Sequence, residues 1–575
     1  MFARRFRKSH VHGALLGCSA LLFGSAVIAA ANQPQQSELE TRLIAADNVS
    51  SHVPDQREQS SRAPINTRAA NAAPVADWWS PGEKRPMLAY KEYANDYGRV
   101  AVLNTDGQID TKGHPFFEPL SKNGRACISC HQPVDGMSLS VPTIQQQWKL
   151  TGGKDPIFAA VDGMNCPSQP AGDPKSHSLL LERGLFRIFL PWPAKDAKGK
   201  AIDPEFTIEV VRDPTGCNTS SKYGLASANP MISVYRRPRV MANMKYITAG
   251  GGLFNIKDGS LMLKDPETGK PVSMQLMADG REATLKTQAI GASASHLQLS
   301  GKLTPAQLQK IQAFQMQVYT AQVFSKDGGS LTTNAPTALG VRAVADGEFG
   351  LGDNFKTPAF GDYEVWKKPQ PGETPKQRAF RESVVRGHDV FFVRPFWIRD
   401  VTHLNTVGLG NPIKRTCATC HNAKYIGNDI APGWMDLGTT NMPWAKVAAN
   451  VAQGRAPFAH AYDKAIENAS QPSSADRSAE LPLFKLTCKA SASPHPFLGR
   501  VIYTSDPGRA LITGRCADIG AITMQQMRSL AARAPYFSNG SARTLRELVD
   551  YYDLRFDARY SEQEKQDLVN FLSVL

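Results

Sequence analysis

Cys127-Ile128-Ser129-Cys130-His131 is a C-x-x-C-H stretch, and the pattern occurs again as Cys417-Ala418-Thr419-Cys420-His421. It is the attachment pattern of a c-type haem: two thiols add to the vinyl groups of one porphyrin, and the adjacent histidine binds the iron. A C-x-x-C pair alone would also suit a dithiol redox pair or half of a zinc site, but the histidine and the repetition favour haem. The sequence therefore predicts two covalently bound haem c groups, with His131 and His421 as axial ligands.

The charge of the chain places few limits on its partners. The 575 residues carry a formal charge of +14 at pH 7, and four of the positive charges lie among the first eight residues. This excess suits an acidic redox partner, although an ordinary solvated surface would also give it. No dense basic run with interleaved aromatic residues is present, which argues against nucleic-acid binding.

The first 31 residues have the pattern of a secretory signal. A basic start is followed by an apolar run over 13–30, and Ala29-Ala30-Ala31 offers a cleavage site. Residues 32–75 are rich in Ala, Ser, Gln, Asn and Pro, which is typical of a flexible leader. No later stretch has the roughly 18 apolar residues that a spanning helix needs. We therefore expect export to the periplasm and no membrane span after signal removal.

Four cysteines remain once the signal and the two motifs are set aside: Cys166, Cys217, Cys488 and Cys516. An even number in an exported chain predicts disulfides. Proximity in sequence favours Cys166–Cys217 and Cys488–Cys516, but all three connectivities stay open, as does a set of buried free thiols.

Helical periodicity and capping residues predict seven helices, over 143–152, 281–299, 304–324, 374–391, 524–533, 543–556 and 561–574. Alternation predicts a strand at 206–211. We interpret the chain as mainly α, with two cytochrome c-like haem domains, long loops and a small β-containing insertion. The N-terminal domain is predicted over 76–370, with the insertion at about 153–275, and the C-terminal domain over 371–575.

Two further stretches resemble bacterial di-haem cytochrome c peroxidases. One runs from Arg533-Ala-Pro-Tyr-Phe-Ser-Asn-Gly-Ser to Thr544-Leu545, and the other is Asp279-Gly-Arg-Glu-Ala-Thr-Leu-Lys-Thr-Gln-Ala289. The resemblance covers about half of 80–575, leaves 153–275 unmatched and implies a divergent member of the family. It implies that the C-terminal haem accepts electrons from a small cytochrome or copper protein and that the N-terminal haem reduces hydrogen peroxide. Relatives on this scaffold oxidise a tryptophan of a partner protein or cleave polyisoprene with oxygen.

The chain departs from the family around the first haem. Ala278 stands where the family has a tryptophan between the haems, and the neighbourhood of the family's distal glutamate holds His296 and Gln298. Peroxide cleavage needs a group that moves a proton between the two oxygens. His296 could do so, or Gln288 and Gln298 could merely position the peroxide. His296 could instead bind the first iron and close the site, or lie on a helix surface without a role.

The second haem lacks the family's usual sixth ligand. Phe537 and Ser538 stand where the family has Met or His, so Met524, Met527 and Tyr536 are the alternatives, with Met527 as our candidate metal ligand. Met524-Gln525 replaces the Thr-Pro pair of the family's calcium site, which counts against calcium.

The sequence is compatible with three functions. The first is a periplasmic peroxidase-like di-haem oxidoreductase, which the family segments favour. The second is a non-enzymatic di-haem electron carrier, which the missing glutamate and tryptophan favour. The third is an oxygenase or substrate oxidase, with 153–275 forming a substrate pocket.

Overall fold

The structure is a computed structural model, and the residues it describes are 77–195, 199–249, 275–347, 363–402, 404, 409–421, 426–428, 434–441 and 479–575. The predicted signal 1–31 and leader 32–75 lie outside these residues.

Ten α-helices lie in the described part of the chain. In chain order they are α1 Val141–Thr151, α2 Ser178–Arg183, α3 Met244–Ala249, α4 Leu285–Ser295, α5 Pro305–Gln317, α6 Gly340–Asp346, α7 Pro375–Val393, α8 Ala510–Thr513, α9 Leu545–Phe556 and α10 Glu562–Ser573.

The longer helices begin at side-chain caps. Thr284, Thr304, Thr374 and Ser561 each accept a hydrogen bond from the backbone N–H of the third residue of their helix, and the side chain of that residue accepts one from the backbone N–H of the cap. This reciprocal arrangement satisfies two N–H groups that the helix itself leaves free. Capping residues were among the signals by which the sequence predicted α5 and α10.

The described residues also form thirteen strands. They are β1 Tyr90–Asn95, β2 Gly98–Asn104, β3 Phe186–Pro191, β4 Phe206–Arg212, β5 Met231–Arg236, β6 Val318–Ser325, β7 Gly329–Ser330, β8 Phe396–Ile398, β9 Ile413–Arg415, β10 Trp434–Met435, β11 Leu483–Cys488, β12 Val501–Thr504 and β13 Ile522–Thr523. They build five small antiparallel sheets in the orders β1-β2-β6-β7, β12-β11-β4, β3-β5, β8-β9 and β10-β13.

The predicted fold class is therefore wrong. The protein is not a mainly-α pair of cytochrome c-like domains, because strands occur from residue 90 to residue 523 and are not confined to the insertion. The helix predicted over 304–324 ends at Gln317, and the chain continues as β6. The helix predicted over 524–533 is extended chain followed by a 3₁₀ turn at Leu530–Ala532.

Burial on both faces explains why these strands were missed. Seven of the eight residues of β6 and six of the seven of β2 are buried. A strand with two covered faces loses the alternation of apolar and polar residues that identifies it in a sequence. The strand at 206–211, which was predicted, is β4, and its burial does alternate.

Two apolar cores hold the two C-x-x-C-H stretches. The first packs Phe116, Phe117 and Phe314 beside Ile128, with the rings of Phe116 and Phe314 4.5 Å apart. The second is formed largely by α7, α9 and α10, and the partly buried Cys417 and Cys420 pack against it.

Two disulfides brace the region between and after the motifs. They join Cys166 to Cys217 and Cys488 to Cys516, so the pairing favoured by sequence proximity is confirmed. The four cysteines of the motifs are not joined in disulfides.

Candidate functional site

The first C-x-x-C-H stretch forms a 3₁₀ turn over Cys127–Ser129, and the backbone N–H of His131 donates to the Cys127 carbonyl (3.2 Å). The turn brings Cys127, Cys130 and His131 to the wall of one cavity, which holds about 1440 Å³ of atom-free space, part of it open to solvent. Burial raises the pKa of both thiols to about 12. Both sulfur atoms therefore face the cavity as neutral thiols.

A backbone carbonyl orients His131. Its Nδ1 lies 3.4 Å from the carbonyl oxygen of Met137, six residues further along the chain. Burial lowers the pKa of His131 to about 4, so the imidazole is neutral at pH 7. When Nδ1–H donates to this carbonyl, Nε2 keeps its lone pair for a metal.

The second stretch repeats this local geometry. Cys417–Thr419 is a 3₁₀ turn, and the His421 N–H donates to the Cys417 carbonyl (3.1 Å). His421 Nδ1 lies 2.8 Å from the carbonyl oxygen of Gly427, again six residues on. Cys417, Cys420 and His421 line a second cavity of about 1370 Å³. Covalent haem attachment requires two thiols outside any disulfide and an oriented imidazole, all facing a large cavity, so both sets of residues fit the group.

One short segment separates the two cavities. Met524, Gln525 and Gln526 line both of them. From the first cavity, Arg239 donates to the Thr523 carbonyl (2.7 Å); from the second, Arg533 donates to the Gln526 carbonyl. We call residues 524–526 the shared wall.

His296 lies at the end of α4 and lines the first cavity, where Asp162 holds it. The His296 Nδ1 is 2.5 Å from Asp162 Oδ2, and the other oxygen of Asp162 accepts from Arg125. Burial by itself raises the pKa of Asp162, but the Arg125 guanidinium and His296 outweigh it and hold that pKa below its usual value. The result is a buried carboxylate that fixes the tautomer and orientation of a cavity-facing histidine.

Gln288 also lines the first cavity, and its Oε1 accepts from Gln315 Nε2 (2.9 Å). Ala278 lies in the same lining beside the shared wall, with its carbonyl accepting from the Thr523 N–H (2.8 Å). The structure thus brings Cys127, Cys130, His131, Gln288 and His296 around one space.

The alternatives for the second iron differ in their surroundings. Met527 is buried and lines only the second cavity, whereas Met524 lines both. Tyr536 lines the second cavity too, but its hydroxyl donates to the Leu530 carbonyl (3.0 Å). Phe537 occupies this lining with a left-handed backbone (φ 64°). Met527 therefore stays our candidate ligand.

Sequence reasoning did not find several residues of the two cavities. Asp162 is 134 positions from His296, and no motif surrounds it. Tyr560, whose hydroxyl lies 3.9 Å from the Cys417 sulfur, and Tyr552 line the second cavity. A buried carboxylate or aromatic ring carries no signal in one sequence, because its partner is chosen by the fold.

Comparison with known proteins adds little to this geometry. The chain is similar to the crystal structure of a MauG-like protein associated with microbial copper homeostasis, over 60% of this chain and 76% of that one, at 15% sequence identity and a TM-score of 0.25. So low a TM-score carries no argument, and the interpretation rests on the residues of this chain. No family model matches the chain. No curated protein matches it.

Neither a membrane helix nor a further metal cluster is found in the described ranges. None of their helices combines the length and the apolar character that crossing a membrane takes. In the same residues, no three or more His, Cys, Asp or Glu side chains are grouped to hold an ion.

Proposed function

We propose that the protein is a periplasmic di-haem c-type oxidoreductase that reduces hydrogen peroxide with electrons from a small redox protein. The observation that carries the proposal is the pair of cavities, each facing one C-x-x-C-H stretch and both ending on the shared wall. Cys127, Cys130 and His131 would hold one haem, and the equivalent residues at 417, 420 and 421 the other. Bound haem would supply one-electron transfer at both sites and an iron with a free position for peroxide at one of them.

The unequal linings of the cavities support a division of roles. The first holds polar groups that are able to bind and protonate a small oxidant, namely His296, Gln288 and the Arg125–Asp162 pair. The second is lined mainly by aromatic, aliphatic and thioether side chains such as Tyr552 and Met527. We therefore assign peroxide reduction to the first cavity and electron entry, from a small cytochrome or copper protein, to the second.

His296 is the group that we propose for proton transfer. Reduction of one hydrogen peroxide to two waters takes up two electrons and two protons, and cleavage is faster when a proton passes from one oxygen to the other. Asp162 holds the Nδ1 of His296, which leaves Nε2 for that transfer. Gln288, held by Gln315, would position the peroxide.

Spectroscopy of the mature protein tests the proposal. The haem content, the EPR spectrum and the optical spectrum are measured on the oxidised and half-reduced protein, with and without hydrogen peroxide. We expect two haems per chain and a high-spin ferric signal that disappears when peroxide is added. Two low-spin irons that ignore peroxide would reject the peroxidase and leave an electron carrier.

Variants that lack both cysteines of one motif test which cavity reduces peroxide and which one accepts electrons from the donor. Replacing Cys127 and Cys130 by Ser should leave one haem and abolish the reaction with peroxide. Replacing Cys417 and Cys420 by Ser should also leave one haem, keep the high-spin signal and slow reduction by the donor. The division of roles would be overturned if the variant without Cys417 and Cys420 lost the reaction with peroxide and the variant without Cys127 and Cys130 kept the high-spin signal.

A further inference from the structure

The first cavity is rich in arginine. Five arginines line it: Arg125, Arg236, Arg237, Arg239 and Arg281. Three of them pair with buried carboxylates, since Arg125 contacts Asp162, Arg236 contacts Asp279 and Asp506, and Arg281 contacts Asp279.

The other two arginines of the lining, Arg237 and Arg239, form none of these ion pairs with a carboxylate. Arg237 directs its guanidinium N–H groups to the carbonyls of Arg183, Leu139 and Arg533, so its hydrogen bonds are made within the chain. Arg239 donates only from Nη2, to the carbonyls of Thr523 (2.7 Å) and Ala278 (3.4 Å).

Arg239 keeps donors that the described residues do not use. Its Nε and Nη1 are shielded from solvent and have no hydrogen-bond partner in that part of the chain. A buried guanidinium with unmet donors costs free energy, and a carboxylate is the group whose geometry matches its fork of N–H groups. The main chain of Arg239 lies beside the His131 ring, so the side chain belongs to the part of the cavity near the expected iron ligand.

The charges around the cavity agree with an anionic occupant. Asp162, Asp279 and Asp506 pair with three of the five arginines, and Asp135 and Glu282 act electrostatically on Arg237 and Arg281. Arg239 has no carboxylate paired with it among these contacts, and a haem propionate in this cavity would supply one.

We propose that the Arg239 guanidinium is a binding site for a carboxylate from outside the chain, and that a propionate of the first haem supplies it. The inference rests on the proposed function, because the propionate belongs to the haem assigned to the His131 cavity. The same guanidinium holds the Thr523 carbonyl next to the shared wall, so it connects the bound carboxylate to the segment between the cavities.

The test uses the holoprotein and the variants Arg239→Gln and Arg239→Lys, with Arg281→Gln as the matched control. Arg281 is another arginine of this lining, but both of its contacts go to Asp279. The reduction potential of each haem is measured between about pH 5 and 8, and haem content is measured for every variant. The second haem is the internal reference.

Loss of a guanidinium beside a propionate should make reduction of the first haem harder, because a nearby cation favours the ferrous state. We expect the ferrous-to-ferric ratio of Arg239→Gln at a fixed potential to fall about tenfold, which is 59 mV for one electron. Its potential should also become pH-dependent, since the unpaired propionate then takes up a proton in this range. Arg239→Lys should restore much of both properties, and Arg281→Gln should not gain the pH dependence.

A second arm distinguishes the source of the carboxylate. Sodium acetate is added to the wild type and to Arg239→Gln, and thermal unfolding is followed. If acetate raises the unfolding temperature of the wild type alone, and the potential of Arg239→Gln is unchanged, the carboxylate belongs to a small acid. If neither the potential nor the acetate response depends on residue 239, the inference is overturned. A wild type without haem would reject the proposed function, while the acetate arm would still test Arg239.

Discussion

At the scale of single residues, the contact between His296 and Asp162 is the feature most open to experiment. Asp162→Asn removes the negative charge that faces His296 Nδ1 and leaves Arg125 without its carboxylate. We expect the rate of peroxide reduction at saturation to fall by roughly 10²-fold, within the range that acid–base groups contribute, with haem content unchanged. The measurement is steady-state turnover with a chemical electron donor, together with the optical spectrum.

The double variant separates this role from a purely structural one. If His296 and Asp162 act as one unit, Asp162→Asn combined with His296→Ala should be about as slow as His296→Ala alone. Effects that multiply would show that the two side chains act independently and would contradict the assignment. Unfolding in urea is followed in parallel, because loss of a buried ion-pair partner also destabilises the fold.

Glu282 makes a second prediction at this scale, one that concerns stability and pH. Burial raises the pKa of Glu282 to about 7, although Arg281 opposes it, whereas an unfolded glutamate titrates near about 4.3. Between these values the folded state keeps a proton that the unfolded state has lost, so wild-type stability falls as pH rises from about 4 to about 7. Glu282→Gln should therefore match the wild type near pH 4 and gain stability relative to it up to about pH 7.

Urea denaturation at several pH values measures this difference. The control is Glu209→Gln, which changes an exposed glutamate of β4. A constant difference between Glu282→Gln and the wild type at all pH values would contradict the prediction.

Residues of the site were predictable only where covalent chemistry fixes their spacing. The thiols and imidazoles of both motifs could be predicted as two sets because the haem attachment we propose needs two cysteines and a histidine within five positions. The proximity of His131 to the Met137 carbonyl, or of His296 to Asp162, depends on turns and on packing across the chain. No local pattern encodes such contacts.

At the scale of elements, the crossing of α7 and α10 depends on one glycine. A Cβ at Gly387 would lie 2.0 Å from the Asp567 carbonyl oxygen of α10, a distance that real atoms do not adopt. Ser383 and Arg386 of α7 also donate to the Asp567 side chain, which ties the two helices together at this point. The second C-x-x-C-H stretch packs against the same core.

Gly387→Ala should therefore destabilise the protein by about 1–3 kcal/mol, the usual cost of overpacking, although alanine is the better helix former. The matched control is Gly291→Ala within α4, where the new methyl group meets a side-chain oxygen of Glu282 (2.6 Å) rather than main-chain atoms. That variant should cost less than Gly387→Ala, because a side chain can shift and the backbone of a neighbouring helix cannot. Urea denaturation compares the two, and equal effects would show that the helix crossing tolerates the methyl group.

A helix could be predicted accurately from the sequence where capping residues mark its start. The last helix was predicted to within one residue at each end, because Ser561 and Glu564 form a capping box at its start. The strands β2 and β6 were not, because their two covered faces erase the alternation. The mainly-α interpretation failed for this reason.

At the scale of the whole molecule, residues from both sides of the second motif build common structures. Strand β4, from the region between the two motifs, pairs with β11 in the C-terminal third of the chain. Arg236 at the end of β5 is buried and binds Asp506 through two hydrogen bonds (2.6 and 2.9 Å) while also contacting Asp279 (2.6 Å). The division into domains at 370 stays a prediction, but these contacts couple the two parts.

We therefore expect one cooperative unfolding transition rather than two. Arg236→Met should lower the free energy of unfolding by roughly 3–5 kcal/mol and shift the whole transition, because it leaves the buried Asp506 carboxylate without its cation and Asp279 with Arg281 alone. Arg546→Met is the control, since Arg546 contacts the more exposed Asp550 and Glu562 and should contribute about 1 kcal/mol or less. Calorimetry and the absorbance of both haems should report the same midpoint. If Arg236→Met shifted only one haem's transition, the parts would unfold separately, and the sheet between them would be a contact surface rather than part of a common core.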